Sequence, residues 1–345
     1  MIPTYTDGHC HLLTYGDFAN GIVPILAKVL YHSTPRNKFI KAMRLLARGL
    51  DNDDIERIAN LLDLFGETTE GQFKKLKQLD PPGTTYCVIT IDQQYMGRGN
   101  VPTPYHHQIA KVCRLIDKGE PIKLFVHIDP RREDYLKLLT IYREYISGVK
   151  QYNYMGYFPY DPLLDSLYHQ CELHNWPVVF HCSPHNINWY GGKDINNRLR
   201  SSIFPLYKTR NTPKYKSMNF SNPSGMINVA LRHPNVNFIV EHLGGKSEAE
   251  AYWRGEEGTW TGLLAYAAET LDNLYLGTSY TTYSKAMYLL IGQLYNRIPN
   301  KLIWGRDFPV SKMVSGLHQT TIELRKEIGE AQFLHIANNI NKLIR

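Results

Sequence analysis

The sequence predicts an α/β protein folded as a (β/α)8 TIM barrel. Three observations carry this reading. Short β-branched and apolar runs alternate with helical stretches, the pattern of a parallel sheet with right-handed crossovers. Eight such runs are present, the strand number of the closed barrel, and 345 residues is a suitable length for one. A doubly wound sheet would favour a glycine-rich phosphate loop after its first strand, and Asp7-Gly8-His9 in the first run is not one.

In order, the strand-like runs cover 5–12, 85–91, 122–128, 146–150, 177–182, 236–242, 274–278 and 301–307. Between them, 105–118, 132–145, 162–175, 224–232, 262–271 and 284–296 suit crossover helices. A final helical pair, 316–328 and 330–343, ends the chain. Two insertions break the rhythm. Residues 14–80 follow the first strand and read as a polar helical insertion, with helices expected over 36–49 and 53–65. Asp53, Asp54 and Glu56 place carboxylates where a helix dipole is positive. Residues 184–222 follow the fifth strand and carry Lys193, Arg198, Arg200, Lys208, Arg210, Lys214 and Lys216 against one acid, Asp194. A barrel keeps its active-site loops after its strands, so 184–222 is expected to be one. No composition shift or Gly/Ser linker divides the chain, and 1–345 is expected to form a single barrel domain.

Composition narrows the function classes. The formal net charge is +7, from 39 basic and 32 acidic residues, without the Lys/Arg blocks of a nucleic-acid binder. A small anionic substrate accounts for that balance equally well. The five cysteines are odd in number and form no Cys-x-x-Cys, which argues against a disulfide framework and for a reducing compartment. No segment is apolar enough to span a bilayer, and the N-terminus lacks a signal-peptide pattern. The expectation is a cytoplasmic protein that engages neither membrane nor nucleic acid.

The chemistry-bearing residues sit at strand ends. His9 and His11 end the first run, and period two puts both imidazoles on one side of a strand. Lys150 ends the fourth run, His181 the fifth, His242 the sixth and Asp307 the eighth. C-terminal strand ends face one mouth of a barrel, so these residues converge if the barrel forms. Three imidazoles and a carboxylate suit Zn²⁺, Mn²⁺ or Fe²⁺.

An ordered set of segments resembles the amidohydrolase superfamily, in the amidohydrolase-related branch that includes aminocarboxymuconate-semialdehyde decarboxylase. The segments are Asp7-Gly-His-Cys-His11, Gly148-Val-Lys150, Pro177-Val-Val-Phe-His-Cys-Ser183, Asn222-Pro-Ser-Gly225, Asn237-Phe-Ile-Val-Glu-His-Leu-Gly-Gly245, Leu302-Ile-Trp-Gly-Arg-Asp-Phe-Pro309 and Asn338-Asn-Ile-Asn-Lys-Leu343. The resemblance runs from about 5 to 343 and leaves out 14–80 and 184–215. It implies metal ligands at His9, His11, His181 and Asp307, with His242 as an acid/base or substrate-polarising group. It also implies one divalent ion, zinc first and manganese or iron next. A second metal is implied only if Lys150 is carbamylated; the other role for Lys150 is to hold a substrate carboxylate. Members of this branch are often dimers, so a homodimer is an expectation.

The expected activity is a metal-dependent hydrolase acting through metal-activated water on an amide, lactone or ester of a small carboxylate-bearing molecule. A metal-dependent non-oxidative decarboxylase of an aromatic or unsaturated acid is the alternative. A non-catalytic metal-binding barrel is the third reading. Asp307 and His242 are the expected catalytic pair, and His185, just past the fifth strand, is a candidate substrate contact. His127 is expected to pack or to bind Asp129. Cys10 and Cys182 should face away from the ligands by strand parity, and Arg306 should point outward to an ion pair.

Overall fold

The computed structural model describes residues 4–22, 62–186, 188–280, 284–310 and 317–344. Its strands are β1 (Thr6–Cys10), β2 (Thr85–Ile89), β3 (Ile122–His127), β4 (Ile146–Gln151), β5 (Val178–Phe180), β6 (Phe238–Val240), β7 (Leu274–Gly277) and β8 (Leu302–Ile303). All seven successive pairings are parallel, in the order β1 to β8. The chain is a (β/α)8 barrel, as its alternation predicts.

β8 is only two residues long, yet the seam with β1 closes beyond it. Gly8 N donates to Trp304 O at 3.1 Å, Asp307 N to His9 O at 2.7 Å, and His11 N to Phe308 O at 2.7 Å. Two glycines permit this approach. A Cβ on Gly305 would lie 2.5 Å from the Cβ of His9, and one on Gly8 would lie 2.7 Å from the Trp304 carbonyl. The expected strand 301–307 is regular only over Leu302–Ile303, and Asp307 takes a left-handed backbone, with φ of 60°.

Strand parity sorts the side chains. Cys87, Ile89, Phe125, Val179, Ile239 and Ile303 point inward and meet Ile340 and Leu343 from the C-terminal segment. Phe125 lies over Gly148, where any Cβ would clash at 2.2 Å, so a large side chain fills the space a small one leaves. The alternate residues, among them Tyr86, Val88, Leu124, Val126 and Val178, pack against the helix layer.

Several helices differ from the sequence reading. The helix expected over 132–145 is limited to Tyr135–Ile141, and the one over 330–343 ends at Asn338 before a 3-10 turn, Asn339–Lys342. That turn carries Ile340, which packs with the inward-facing side chains of the barrel. Lys246–Trp253 forms a helix that the periodicity did not reveal. In the first insertion, Thr69–Lys77 is helical and capped by the Thr68 side chain, which accepts from Gly71 N. The helices expected over 36–49 and 53–61 lie outside the described residues, while 62–66 are helical. In the loop 184–222, short turns occur at Ile195–Leu199 and Pro213–Lys216.

A buried ion pair ties the end of the first insertion to the seam. The Arg306 guanidinium donates to both oxygens of Asp80, at 2.7 Å and 2.5 Å, and Tyr5 and Tyr86 donate their hydroxyls to the same carboxylate. Both charged side chains are almost fully buried. Removing one partner strands the other in a dry interior. Asp80→Ala is therefore expected to cost about 3–5 kcal/mol of stability, read as a lower urea midpoint by far-UV circular dichroism. A midpoint equal to wild type would contradict this account.

Candidate metal centre

Parity and closure together build the site. His9 and His11 stand on β1 and just beyond it, and Asp307 joins them across the seam. Their ligand atoms fall within 4.8 Å of one another, and all three residues are buried. His9 Nε2 lies 3.2 Å from His11 Nε2. Asp307 Oδ1 lies 3.7 Å from the first and 3.4 Å from the second.

The outer ring nitrogens are already engaged. His11 Nδ1 is 2.8 Å from the Ile89 carbonyl, and His9 Nδ1 is 3.1 Å from Glu241 Oε1. A carbonyl and a carboxylate accept only, so assigning tautomers from these partners puts an N–H on each Nδ1. In their neutral forms, both Nε2 atoms then present lone pairs to each other and to Asp307. Burial pushes the His9 imidazole well below its ordinary value, with Lys150 adding to the effect, so His9 stays neutral. Burial alone would raise Asp307, but its contacts with His11, His9 and His242 outweigh this and hold the carboxyl well below the usual range. Two lone pairs and a carboxylate facing one point require positive charge there. A single proton satisfies part of the set, whereas a divalent cation satisfies all of it. The residues present fit a metal.

A second line of imidazoles adjoins the first. His242 Nδ1 is 2.9 Å from the Ser279 carbonyl and so carries its proton, leaving Nε2 as an acceptor. His181 Nδ1 donates to that atom at 2.9 Å. The lone pair of His181 is therefore on Nε2, which takes the Asn186 side-chain amide at 2.5 Å. Burial depresses both imidazoles. His181 thus belongs to a relay with His242, outside the tight cluster of His9, His11 and Asp307. It nevertheless presents an unprotonated nitrogen, as a ligand must.

Lys150 is wholly buried, and its Nζ has no hydrogen-bond partner among the described residues. It lies 5.1 Å from the centroid of the Tyr152 ring, which stacks on His181 at 4.6 Å. Burial brings the ammonium down to about 8, against the pull of Glu241 and Asp307. His185 is exposed, with its ring 6.3 Å from Tyr215. His127 bonds elsewhere than expected, accepting from Asp92 N and meeting the Tyr157 hydroxyl, while Asp129 pairs with Arg131. Cys10 and Cys182 direct their thiols to the carbonyls of Cys87 and Ser221, and all five cysteines are free and buried.

Glu241 and Ser279 were missed by sequence reasoning. The Ser279 hydroxyl donates to Glu241 Oε2 and lies 3.4 Å from His9 Nδ1. Parity held the signal for both. Ile239 points inward, so Glu241 two residues later does too, and Gly277 leads to Ser279 in the same way. His242 then faces the site only because its backbone turns left-handed, with φ of 67°.

A family model described as amidohydrolase matches residues 147–331, more than half of the chain. The chain belongs to the amidohydrolase family. The matched stretch holds Lys150, His181, Glu241, His242, Ser279 and Asp307, while His9 and His11 precede it. Solved structures share the fold along nearly the full length. One is 5-carboxyvanillate decarboxylase from Sphingomonas paucimobilis, 11% identical, with a TM-score of 0.55 over 99% of both chains. Another is dihydroxybenzoic acid decarboxylase from a Polaromonas species with bound manganese and the inhibitor 2-nitroresorcinol, also 11% identical, with a TM-score of 0.55 over 99% of this chain and 97% of that one. A third is an amidohydrolase from Burkholderia multivorans with bound HEPES, 11% identical, with a TM-score of 0.52 over 95% and 92%. At this identity they establish the fold. No curated protein sequence matches the chain. No helix among the described residues is long and apolar enough to cross a membrane.

The carboxylate of Glu241 fixes the His9 tautomer, and behind a histidine that held a metal it would strengthen the ligand. Glu241→Gln is expected to weaken divalent-ion binding about 10–100-fold, measured by competition with a chromophoric chelator. Unchanged affinity would show that Glu241 has no part in preparing His9.

Proposed function

We propose that this chain is a metal-dependent hydrolase acting on an amide, lactone or ester of a small carboxylate-bearing substrate. The carrying observation is the convergence of the buried His9, His11 and Asp307 side chains, whose ligand atoms all lie within 4.8 Å of one another. These residues would hold one divalent ion, zinc, manganese or iron, with His181 as the fourth ligand. Such an ion supplies Lewis acidity, bringing the pKa of water from 15.7 toward ~7. Asp307 accepts the proton of the attacking water and passes it to the leaving group. His242 enters as a proton acceptor, because its Nδ1–H is committed to Ser279 and its Nε2 carries the lone pair, which accepts from His181 Nδ1. That tautomer supports the acid/base role over carbonyl polarisation.

Lys150 supports the anionic substrate class. A buried ammonium with no hydrogen-bond partner among the described residues is costly, and a substrate carboxylate offsets that cost. In this reading Lys150 anchors the substrate and Tyr152 forms the wall beside it. A second reading, a non-oxidative decarboxylase, draws on the same two residues, since a cation beside an aromatic ring also receives an aromatic acid. Two of the structural neighbours are decarboxylases by name. Incubation with a panel of carboxylate-bearing esters, lactones and amides beside a panel of aromatic acids decides between them. Hydrolysis products select the first reading and released CO₂ the second; metal-independent turnover, or none, would count against both.

Two variants test the roles. Asp307→Asn is expected to lower kcat by about 10²–10⁴-fold, the range for loss of a general base, with the circular dichroism spectrum unchanged. Lys150→Met is expected to raise KM about tenfold or more for a carboxylate-bearing substrate, in line with the loss of a charged hydrogen bond, and to leave a neutral analogue unaffected. Equal effects on the charged and neutral substrates would remove Lys150 from the anchoring role.

A further inference from the structure

Asn186 occupies the one unprotonated nitrogen that His181 offers. The relay from the Ser279 carbonyl through His242 commits the His181 proton to Nδ1, so Nε2 is an acceptor by construction. The Asn186 amide donates to it at 2.5 Å. Asn186 is itself held, because its Oδ1 accepts from Asn188 N at 2.8 Å. Asn188 Oδ1 accepts from Gln93 Nε2 at 3.1 Å, and Gln93 Oε1 from Ala19 N at 2.8 Å. The segment carrying Asn186 is thus pinned to the segments that follow β1 and β2, and the Tyr152 hydroxyl also bonds to both asparagines. A donor fixed in this way occupies the lone pair that a metal would use.

We infer that Asn186 is a placeholder for the metal on His181, donating to Nε2 in the ion-free protein and yielding that nitrogen when the ion binds. The inference rests on the metal reading above. The exchange is balanced without proton transfer. One N–H···N hydrogen bond breaks, one bond from the His181 lone pair to the cation forms, and the proton on Nδ1 stays in place. Asn186 therefore stabilises the empty site and opposes loading. The amide is a positioning group, since it acts through His181.

Linkage gives a test that a purely structural role would not satisfy. A contact present only in the ion-free state stabilises that state and weakens the ion by the same factor. With Asn186→Ala, the Zn²⁺ association constant of the whole chain is expected to rise about three- to tenfold, the range for one ordinary hydrogen bond. The ion-free variant should melt below ion-free wild type, and the Zn²⁺-loaded proteins should melt together. If the alanine variant fails to fold, Asn186→Asp keeps the acceptor for Asn188 N, removes the donor to His181, and should also bind Zn²⁺ more tightly. An association constant at or below wild type, or an equal loss of stability in empty and loaded forms, overturns the placeholder role alone. Wild-type protein that takes up no divalent ion overturns the metal reading, and this inference with it.

Discussion

The hydrogen bond from Asp307 N to the His9 carbonyl closes the barrel and completes the metal cluster in one contact. A sheet of eight strands has two edges until this seam forms, and an open edge leaves backbone groups without partners. The seam is narrow by design of the chain, since Gly8 and Gly305 remove the side chains that would hold it apart. Behind it, Asp7 Oδ1 accepts from His9 N and Arg306 N, so one carboxylate holds the backbone on both sides. Site geometry and barrel closure are therefore the same property.

Electrostatics then sorts the groups inside. Burial drives the imidazoles toward neutrality, and acceptors placed behind them choose the tautomer. Glu241 and the Ile89 carbonyl turn two lone pairs toward Asp307, while Ser279 and His242 turn a third toward Asn186. The protein thereby prepares acceptors and leaves the positive charge to be supplied. Lys150 is the opposite case, a cation kept in the interior without a dedicated anion.

Most of the fold was legible because its signals are local. Alternation of runs and helices gave eight strands in the right order, and the ends of those runs gave His9, His11, Lys150, His181, His242 and Asp307. What was missed depends on geometry that single residues do not announce. Glu241 stood beside a histidine that drew attention first, and only the inward position of Ile239 reveals it. Asn186 meets His181 through a loop conformation that carries no periodic signal. The partner of Arg306, Asp80, lies at the end of an insertion whose path the sequence pattern does not give. His127 found Asp92 N and Tyr157 in place of Asp129, because Arg131 already claims Asp129.

The span between the two halves of the cluster bears on how the protein is made. In chain order His9 and His11 come long before Asp307. Ile340 and Leu343, which fill the barrel interior, come later still. Contacts of such separation form late and slowly. Until that carboxylate joins it, the histidine pair would be a weak two-nitrogen grip open to any passing cation. Selection of an ion would consequently be a property of the closed barrel.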